Sequence, residues 1–390
     1  MTQIVPTVPA EAVNLADVVP SCLAAMGVGV DPADAGASGT RTVFGREARI
    51  ALRPVRSAIV VLADGLGANA VAARAGHARF LAAAKRRMRS GFPTTTAAAL
   101  TTLATGASPG EHGVVGYSGF EPTTGAVVNL LSGWGDEVPA GWLQTPSLFA
   151  AATAAGVDTA SVGPKRYRAT GFTERVLAGT RYVDADTVPA RVDAALAAVD
   201  AGGQTLVYCY LPELDSIAHR HGWQTDRWTA MLETVDAELS RLAAALPADV
   251  GLVVTGDHGV LDVPEEANIA MDPELLTDVV AVAGDPRCRQ LTVAPGTDVD
   301  ALVAAWRTRY GKRAIVASRA EAIAAGWFGP VSDVVVPRIG DVLIVARAAW
   351  AFNDDRALAE GAVPERMIGQ HGALSDDEVY VPLLLAGAFA

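Results

Sequence analysis

Three short apolar runs constrain the fold of this chain more than any other feature. Ser57–Ala63 reads SAIVVLA, Thr205–Leu211 reads TLVYCYL and Val250–Thr255 reads VGLVVT. Each is shorter than a typical helix and is apolar at nearly every step, the pattern of strands buried on both faces of a parallel sheet. Helical patterns lie between them. The clearest spans 225–246, where Trp228, Leu232, Val235, Leu239, Leu242 and Leu246 recur at steps of three and four before Pro247 stops the helix. Strands alternating with helices predict an α/β fold, a mostly parallel central sheet covered by helices on both faces. Residues 379–385 (VYVPLLL) read as one more strand, with Pro382 pointing to a sheet edge or a bulge.

Residues 1–56 read as an N-terminal extension with short helical pieces and a Gly/Asp/Ala-rich loop at 29–40. From about 264 to 345 the texture shifts to short β and α units. The expected organisation is a catalytic core of residues 1–263 and 346–390 carrying a smaller α+β insert at 264–345. The 390 residues are 51% apolar and 19% charged, ample for a core of this size. A net charge of −12 excludes a nucleic-acid-binding surface, which needs clustered Lys and Arg. Small anionic substrates stay open, because local charge or a metal ion overrides the global sign. The cations are 28 Arg and only three Lys (Lys85, Lys165, Lys312), which with the abundant Ala fits a GC-rich bacterial genome. Cys22, Cys209 and Cys288 form no paired spacing, so reduced thiols and a cytoplasmic setting are expected. No signal-peptide pattern opens the chain and no run of about 18 apolar residues offers a membrane span.

The chemistry concentrates at strand ends. Asp64-Gly65 follows the first run, Asp215 and His219 follow the second, and Asp257-His258-Gly259 follows the third; Gly369-Gln370-His371-Gly372 shortly precedes the last strand. In open α/β sheets ligands gather outside the carboxyl ends of the strands. Each piece has a bland reading: a turn at Asp64, a helix start at Asp215, a tight turn at Asp257, a glycine-flanked loop at His371. Together they place three of the chain's six histidines (His219, His258 and His371, not His77, His112 or His221) beside strands. Three Asp and three His suit Zn²⁺ or Mn²⁺ better than the all-oxygen sites of Ca²⁺ and Mg²⁺. Six ligands divide into two three-residue sites with open positions for substrate, and two metals about 4 Å apart clamp a phosphoryl group.

The segment GFPTTTAAAL (91–100) heads a helix expected at 97–105 and ended by Gly106. Threonine is a good N-cap, so capping accounts for one of the three at most. A helix N-terminus also offers free N–H groups to a phosphoryl oxygen. A metal activates a hydroxyl much as it lowers the pKa of bound water from about 15.7 to about 7. One threonine here is thus a candidate nucleophile.

These residues resemble the alkaline phosphatase superfamily, most closely its nucleotide pyrophosphatase/phosphodiesterase branch. That branch follows a strand ending in Asp-Gly with aromatic-Pro-Thr-x-Thr, a helix, and Thr-Gly-x-x-Pro-x-x-His-Gly. Here the stretch reads FPTTTAAALTTLATGASPGEHGVVGY, with Thr105-Gly106, Pro109 and His112-Gly113 in register. The resemblance implies an alkaline-phosphatase-like fold, Thr96 as nucleophile, one zinc on Asp215, His219 and His371, and another on Asp64, Asp257 and His258. His112 would stay structural. An asparagine that holds a phosphate oxygen in the branch is missing, its place reading Val114-Val115-Gly116-Tyr117, so Tyr117 becomes a candidate substrate-binding donor. No arginine stands near Thr96 to grip a dianion, which favours diesters; Lys165 and Arg166 read as surface charges. The expected activity is hydrolysis of small phosphate esters through a phospho-threonine intermediate. A phosphomonoesterase or phosphonate hydrolase is the alternative, and a non-catalytic, metal-stabilised binding protein a distant one. No Cys-x-Pro-x-Arg segment supports a sulfatase. The leaving-group pocket is expected from the insert and the loop 131–136, where Trp134 reads as packing rather than as a base-stacking platform.

Overall fold

The computed structural model describes residues 3–9, 12–31, 33, 40–135, 137–200, 202–356 and 366–390. Most of the expected 29–40 loop, and Asp136, lie outside the described residues. Two sheets carry the architecture. In chain order their strands are β1 (Ser57–Ala63), β2 (Arg86–Arg89), β3 (Asp158–Gly163), β4 (Arg181–Asp184), β5 (Thr205–Leu211), β6 (Val250–Thr255), β7 (Val279–Asp285), β8 (Cys288–Val293), β9 (Ala314–Ser318), β10 (Val342–Ala346) and β11 (Tyr380–Gly387). The helices that matter for the site are α1 (Val18–Ala25), α2 (Thr96–Thr105), α3 (Leu148–Ala154), α4 (Val188–Asp200), α5 (Glu213–His221), α6 (Asp226–Ala245) and α7 (Val299–Tyr310).

The central sheet runs β2-β11-β6-β1-β5-β3-β4, with β6, β1, β5, β3 and β4 parallel and β11 antiparallel to both neighbours. Its strands alternate by face, as a period of two requires. Ala58, Val60 and Leu62 pack against α1, α2 and α3, whereas Ile59, Val61 and Ala63 pack against α4, α5 and α6. Both faces are apolar because both are covered, which is why the strands read as continuous runs. The protein is thus an α/β fold with a mostly parallel, doubly covered sheet. The expected long helix is α6, with Thr225 as its N-cap accepting from the Trp228 N–H.

The expected extension supplies a short helix, α1, which is buried at every position and shares a core with Val60, Leu62, Leu100 and Leu103. One expectation needs correction: the Pro382 strand is not an edge. Residues 384–387 of β11 pair with β6 while residues 380–383 pair with β2, so Pro382 sits opposite Arg87 where only one side is laddered. The edge is β2 instead, short and studded with Arg86, Arg87 and Arg89, a charge pattern that discourages pairing with another chain.

The second sheet runs β7-β8-β10-β9, antiparallel throughout. One face packs Leu291, Val316, Val342 and Ile344 against Trp306 and Tyr310 of α7. The other packs Cys288, Leu343 and Val345 with Trp327, Phe328 and Phe92. Phe92 meets Trp327 and Phe328 edge-on, at ring-centroid distances of 5.0 and 5.3 Å. This sheet therefore supports the segment leading into the three threonines. A second tie runs through Arg287, in the β7–β8 turn. Its guanidinium donates twice to Glu378, 2.7 Å in each case, with both side chains fully buried. Glu378 also accepts from the Ala373 N–H and from Ser375 Oγ, and its carbonyl accepts from the Gly259 N–H. One ion pair thus joins the second sheet to the loops that follow His258 and His371.

Removing one partner of a buried pair leaves an uncompensated charge. Glu378→Gln is expected to lower unfolding stability by about 3 kcal/mol or more in urea titrations. Arg241→Ala, on an exposed pair, should leave the urea midpoint close to that of wild type. His112 supplies a pH test. It is fully buried, its Nδ1 accepting from the Val114 N–H and its Nε2 facing Thr102 Oγ1, and burial pushes its pKa down to about 3. The unfolded chain binds this proton first, so the stabilisation is complete above about pH 6.5 and is lost as pH falls toward 3. Unfolding free energy measured against pH should fall across that window, and His112→Gln should flatten the slope.

Candidate active site

Register delivers the ligands to one edge. Thr255 pairs with Leu62 and Leu211 with Ala63, so Asp64, α5 and Asp257 all start at the carboxyl ends of adjacent parallel strands. The backbone locks the three exits together: the Asp64 N–H donates to Leu211 O, the Asp215 N–H to Asp64 O, and the Gly65 N–H to Asp257 Oδ1. Gly65 has φ +74°, and a Cβ there would meet the Asp215 backbone at 3.0 Å, so this turn requires glycine. His371 arrives from the opposite direction. A two-residue pairing of Gly369–Gln370 with Leu261–Asp262, and the Ile368 N–H donating to His219 O, bring it over the cluster.

Six expected ligands meet here. His219 Nε2 lies 2.9 Å from Asp215 Oδ2, His371 Nε2 lies 3.8 Å from Asp215 Oδ1, and His258 Nε2 lies 3.5 Å from Asp64 Oδ1 and 3.4 Å from Asp257 Oδ2. The His258 and His371 rings stack at 3.7 Å. Asp215, His219 and His371 form one group whose ligand atoms lie within 4.8 Å of one another; Asp64, Asp215 and His258 form another. Asp215 thus stands in both groups. Asp257 stands beside the second, its Oδ1 occupied by the Gly65 and His258 N–H groups and its Oδ2 free.

The donor set fits a cation. Each histidine donates Nδ1–H to a backbone carbonyl: His219 to Gly369 (2.7 Å), His371 to Thr94 (2.8 Å) and His258 to Gly259 (3.2 Å). With Nδ1 so engaged, every Nε2 faces the cluster, where loss of its proton leaves a lone pair for a cation. Asp64 Oδ1, Asp215 Oδ1 and Asp257 Oδ2 are buried and without a hydrogen-bond partner among the described residues. Buried carboxylate oxygens are rarely left so unless a charge belongs beside them. The electrostatics agree. Burial, then Asp257 and Asp215, push Asp64 well above its ordinary range, and burial pushes Asp257 up to about 6. Burial acts upward on Asp215 too, but the His219, His371 and His258 imidazoles hold it low. Burial acts downward on His219, yet the Asp215 carboxylate carries it up to about 9. His258 and His371 are pushed down to about 4, chiefly by burial.

The three threonines divide the labour. Thr94 secures the His371 loop, its Oγ1 donating to Ala373 O and accepting from the Gly372 N–H. Thr95 is the N-cap of α2 by position, but its side chain makes no capping bond and its Oγ1 lies 3.4 Å from Asp285. Thr96 opens α2 with Oγ1 at 3.2 Å from His258 Nε2. Capping by a hydroxyl, expected of at most one threonine, is made by none.

Three further contributors were not singled out in the sequence. Tyr210 donates its O–H to Asp64 Oδ2. Ser90 donates to Asp257 O. Asp285, at the end of β7, reaches Thr95 from the second sheet. Tyr210 alone was findable, since alternate positions of β5 point toward one face. Tyr117 is half exposed. Trp134 is buried, donates to Leu130 O and packs edge-on against Phe172, so it is packing. Lys165 and Arg166 are exposed.

This geometry defines a class: a mostly parallel α/β core with a buried carboxylate–imidazole cluster facing a helix-terminal hydroxyl. Residues 58–374 match the family model of type I phosphodiesterase / nucleotide pyrophosphatase, and the chain belongs to that family. It is accordingly a metal-dependent phosphoric ester hydrolase of the alkaline phosphatase superfamily. Among solved structures, murine ectonucleotide pyrophosphatase/phosphodiesterase 5 is 17% identical with a TM-score of 0.64, covering 84% of this chain and 87% of that one. An inactive threonine-to-alanine form of the murine protein in complex with AMP is 16% identical with a TM-score of 0.65, covering 85% and 88%. Phosphonoacetate hydrolase from Sinorhizobium meliloti, in complex with phosphonoformate, is 20% identical with a TM-score of 0.68, covering 89% and 92%. At these identities the likeness is one of fold. No curated protein matches the chain. Among the described residues no helix is long and apolar enough to cross a membrane.

Tyr210→Phe removes a hydrogen bond that orients Asp64 and is expected to weaken metal binding about 10- to 100-fold. Competition with a chromophoric chelator measures this, and circular dichroism should stay unchanged.

Proposed function

We propose that the chain is a two-metal phosphodiesterase/nucleotide pyrophosphatase that works through a phospho-threonine intermediate on Thr96. The observation that carries the reading is Thr96 Oγ1 at 3.2 Å from His258 Nε2, on the rim of a cluster whose three carboxylates each keep an unpartnered buried oxygen. Asp215, His219 and His371 would hold one ion, and Asp64, Asp257 and His258 the other. Mixed imidazole and carboxylate donors favour zinc, with manganese second. Such ions supply Lewis acidity, lowering the pKa of a hydroxyl and neutralising charge on a phosphoryl group.

The chain's own residues do the rest. Thr96 attacks phosphorus in line; the bond to the leaving oxygen breaks as the Thr96 Oγ1–P bond forms, and water later cleaves the ester. The N-terminal N–H groups of α2 face a phosphoryl oxygen. Thr94 and the backbone carbonyls of Gly259 and Gly369 keep the imidazoles oriented. Tyr117, half exposed, is the proposed donor to substrate. We place residues 264–345 as an inserted subdomain within a core of 1–263 and 346–390, its sheet steadying the threonine segment through Phe92. Three free, buried cysteines support a cytoplasmic setting.

Phosphonate hydrolysis is the second reading, favoured by the likeness to phosphonoacetate hydrolase. Turnover of bis-(p-nitrophenyl) phosphate, p-nitrophenyl phosphate and a phenylphosphonate ester by metal-loaded protein separates the two: the diester is expected to lead. Thr96→Ala should keep its metal content and lose at least about 10³-fold in kcat, as loss of a nucleophile does. Retained turnover in that variant would remove Thr96 from the chemistry.

A further inference from the structure

A cleft of about 1900 Å³ opens between residues 3–8, α7, the 311–313 turn and the 346–348 turn, apart from the metal cluster. Its size exceeds that of ordinary small-molecule pockets, about 300–1000 Å³. The charge of its lining opposes that of the protein. On a chain of net charge −12, six cations (Arg89, Arg307, Arg309, Lys312, Arg313 and Arg347) face two carboxylates, Asp300 and Glu321. Glu321 is already held by Arg307, and Arg309 pairs outward with Asp272 at 3.2 Å. Arg89, Lys312, Arg313 and Arg347 have no ion-pair partner among the described residues.

Two of these four cations, Arg313 and Arg89, have anchored side chains. Arg313 lies over the Trp350 ring at 4.5 Å, and its carbonyl accepts from the Arg347 N–H at 2.8 Å, which keeps these two residues side by side. Arg89 is tethered to the Tyr380 hydroxyl at 3.4 Å. The far wall is fixed as well. Gln3 donates to Gly311 O and Ala314 O and accepts from the Val316 N–H, and Trp327 Nε1 donates to Pro6 O. Guanidinium groups arrayed in a concave site suit phosphate oxygens, which they bind in pairs, and the stacked Arg313 loses little freedom on binding.

We propose that this cleft is a second ligand site, separate from the metal cluster, for a small molecule carrying several phosphate groups. Its floor includes Leu374 and Ser375, on the loop that follows His371, so the ligand would sit close behind the catalytic edge without touching it.

Binding to the metal-loaded protein tests the proposal without reference to turnover. Naphthalenetrisulfonate, a fluorescent trianion that coordinates metals weakly, is the probe, and inorganic tripolyphosphate the competitor. The expected result is saturable binding at low salt that weakens as salt rises, displacement by tripolyphosphate, and a loss of at least about tenfold in affinity in Arg313→Glu/Arg347→Glu. Arg313→Gln/Arg347→Gln, which only removes the charges, should fall between the two. Metal content, melting temperature and probe-free diesterase turnover of the variants should match wild type. Absence of binding, failure of tripolyphosphate to compete, or equal affinity in the charge-reversed variant would overturn the proposal. Loss of esterase activity on every substrate would overturn the proposed function and leave this site standing.

Discussion

Three carboxylates buried at one sheet edge are the constraint around which the rest of the molecule is arranged. Asp64, Asp215 and Asp257 repel one another in a place where water screens little, and each keeps an oxygen that nothing among the described residues satisfies. The surroundings hold them there regardless. The Gly65 and His258 N–H groups secure Asp257, the Tyr210 hydroxyl secures Asp64, and the His219 ring secures Asp215. Such a site is stable when a cation occupies it and strained when none does, which is how a metal centre differs from a structural ion-pair network.

The two sheets have different tasks in meeting that constraint. The central sheet sets where the ligands leave the core, because parallel strands in register end at one level. The second sheet sets what faces them. Through Phe92 it buttresses the threonine segment, through Arg287 and Glu378 it holds the His258 and His371 loops, and through Asp285 it reaches Thr95. It behaves as a wall of the site rather than as an appendage. Its outer side lines a cleft where six cations face two carboxylates, in a protein whose overall charge is negative.

Much of this was legible beforehand, for physical reasons. Buried parallel strands must be apolar at every step, so β1, β5 and β6 stood out, and side chains that follow such strands must lie at the carboxyl edge. That reasoning groups Asp64, Asp215, His219, Asp257 and His258, His371 joins them from the approach to the last strand, and the fold brings the six together. The α2 boundary and its Gly106 stop were equally local matters, read correctly to within one residue. What escaped was non-local. Residues 1–56 carry no long periodic run, so nothing in them revealed that α1 closes one face of the core. Pro382 looked like an edge marker because sequence cannot say which half of a strand is paired on which side.

By itself the sequence determined the class of fold, the six candidate ligands and the three candidate hydroxyls, since all of these depend on local apolar patterning and on residue type beside it. Tertiary structure alone decided how the hydroxyls divide. Thr94 is engaged with the His371 loop, Thr95 with Asp285 from the second sheet, and Thr96 with His258. Neighbours 162 to 279 residues away in the chain make that distinction, and no property of three identical adjacent side chains encodes it. The same holds for the unpaired cations of the cleft, whose shared surface exists only after strand β2, helix α7 and the N-terminal segment have packed together.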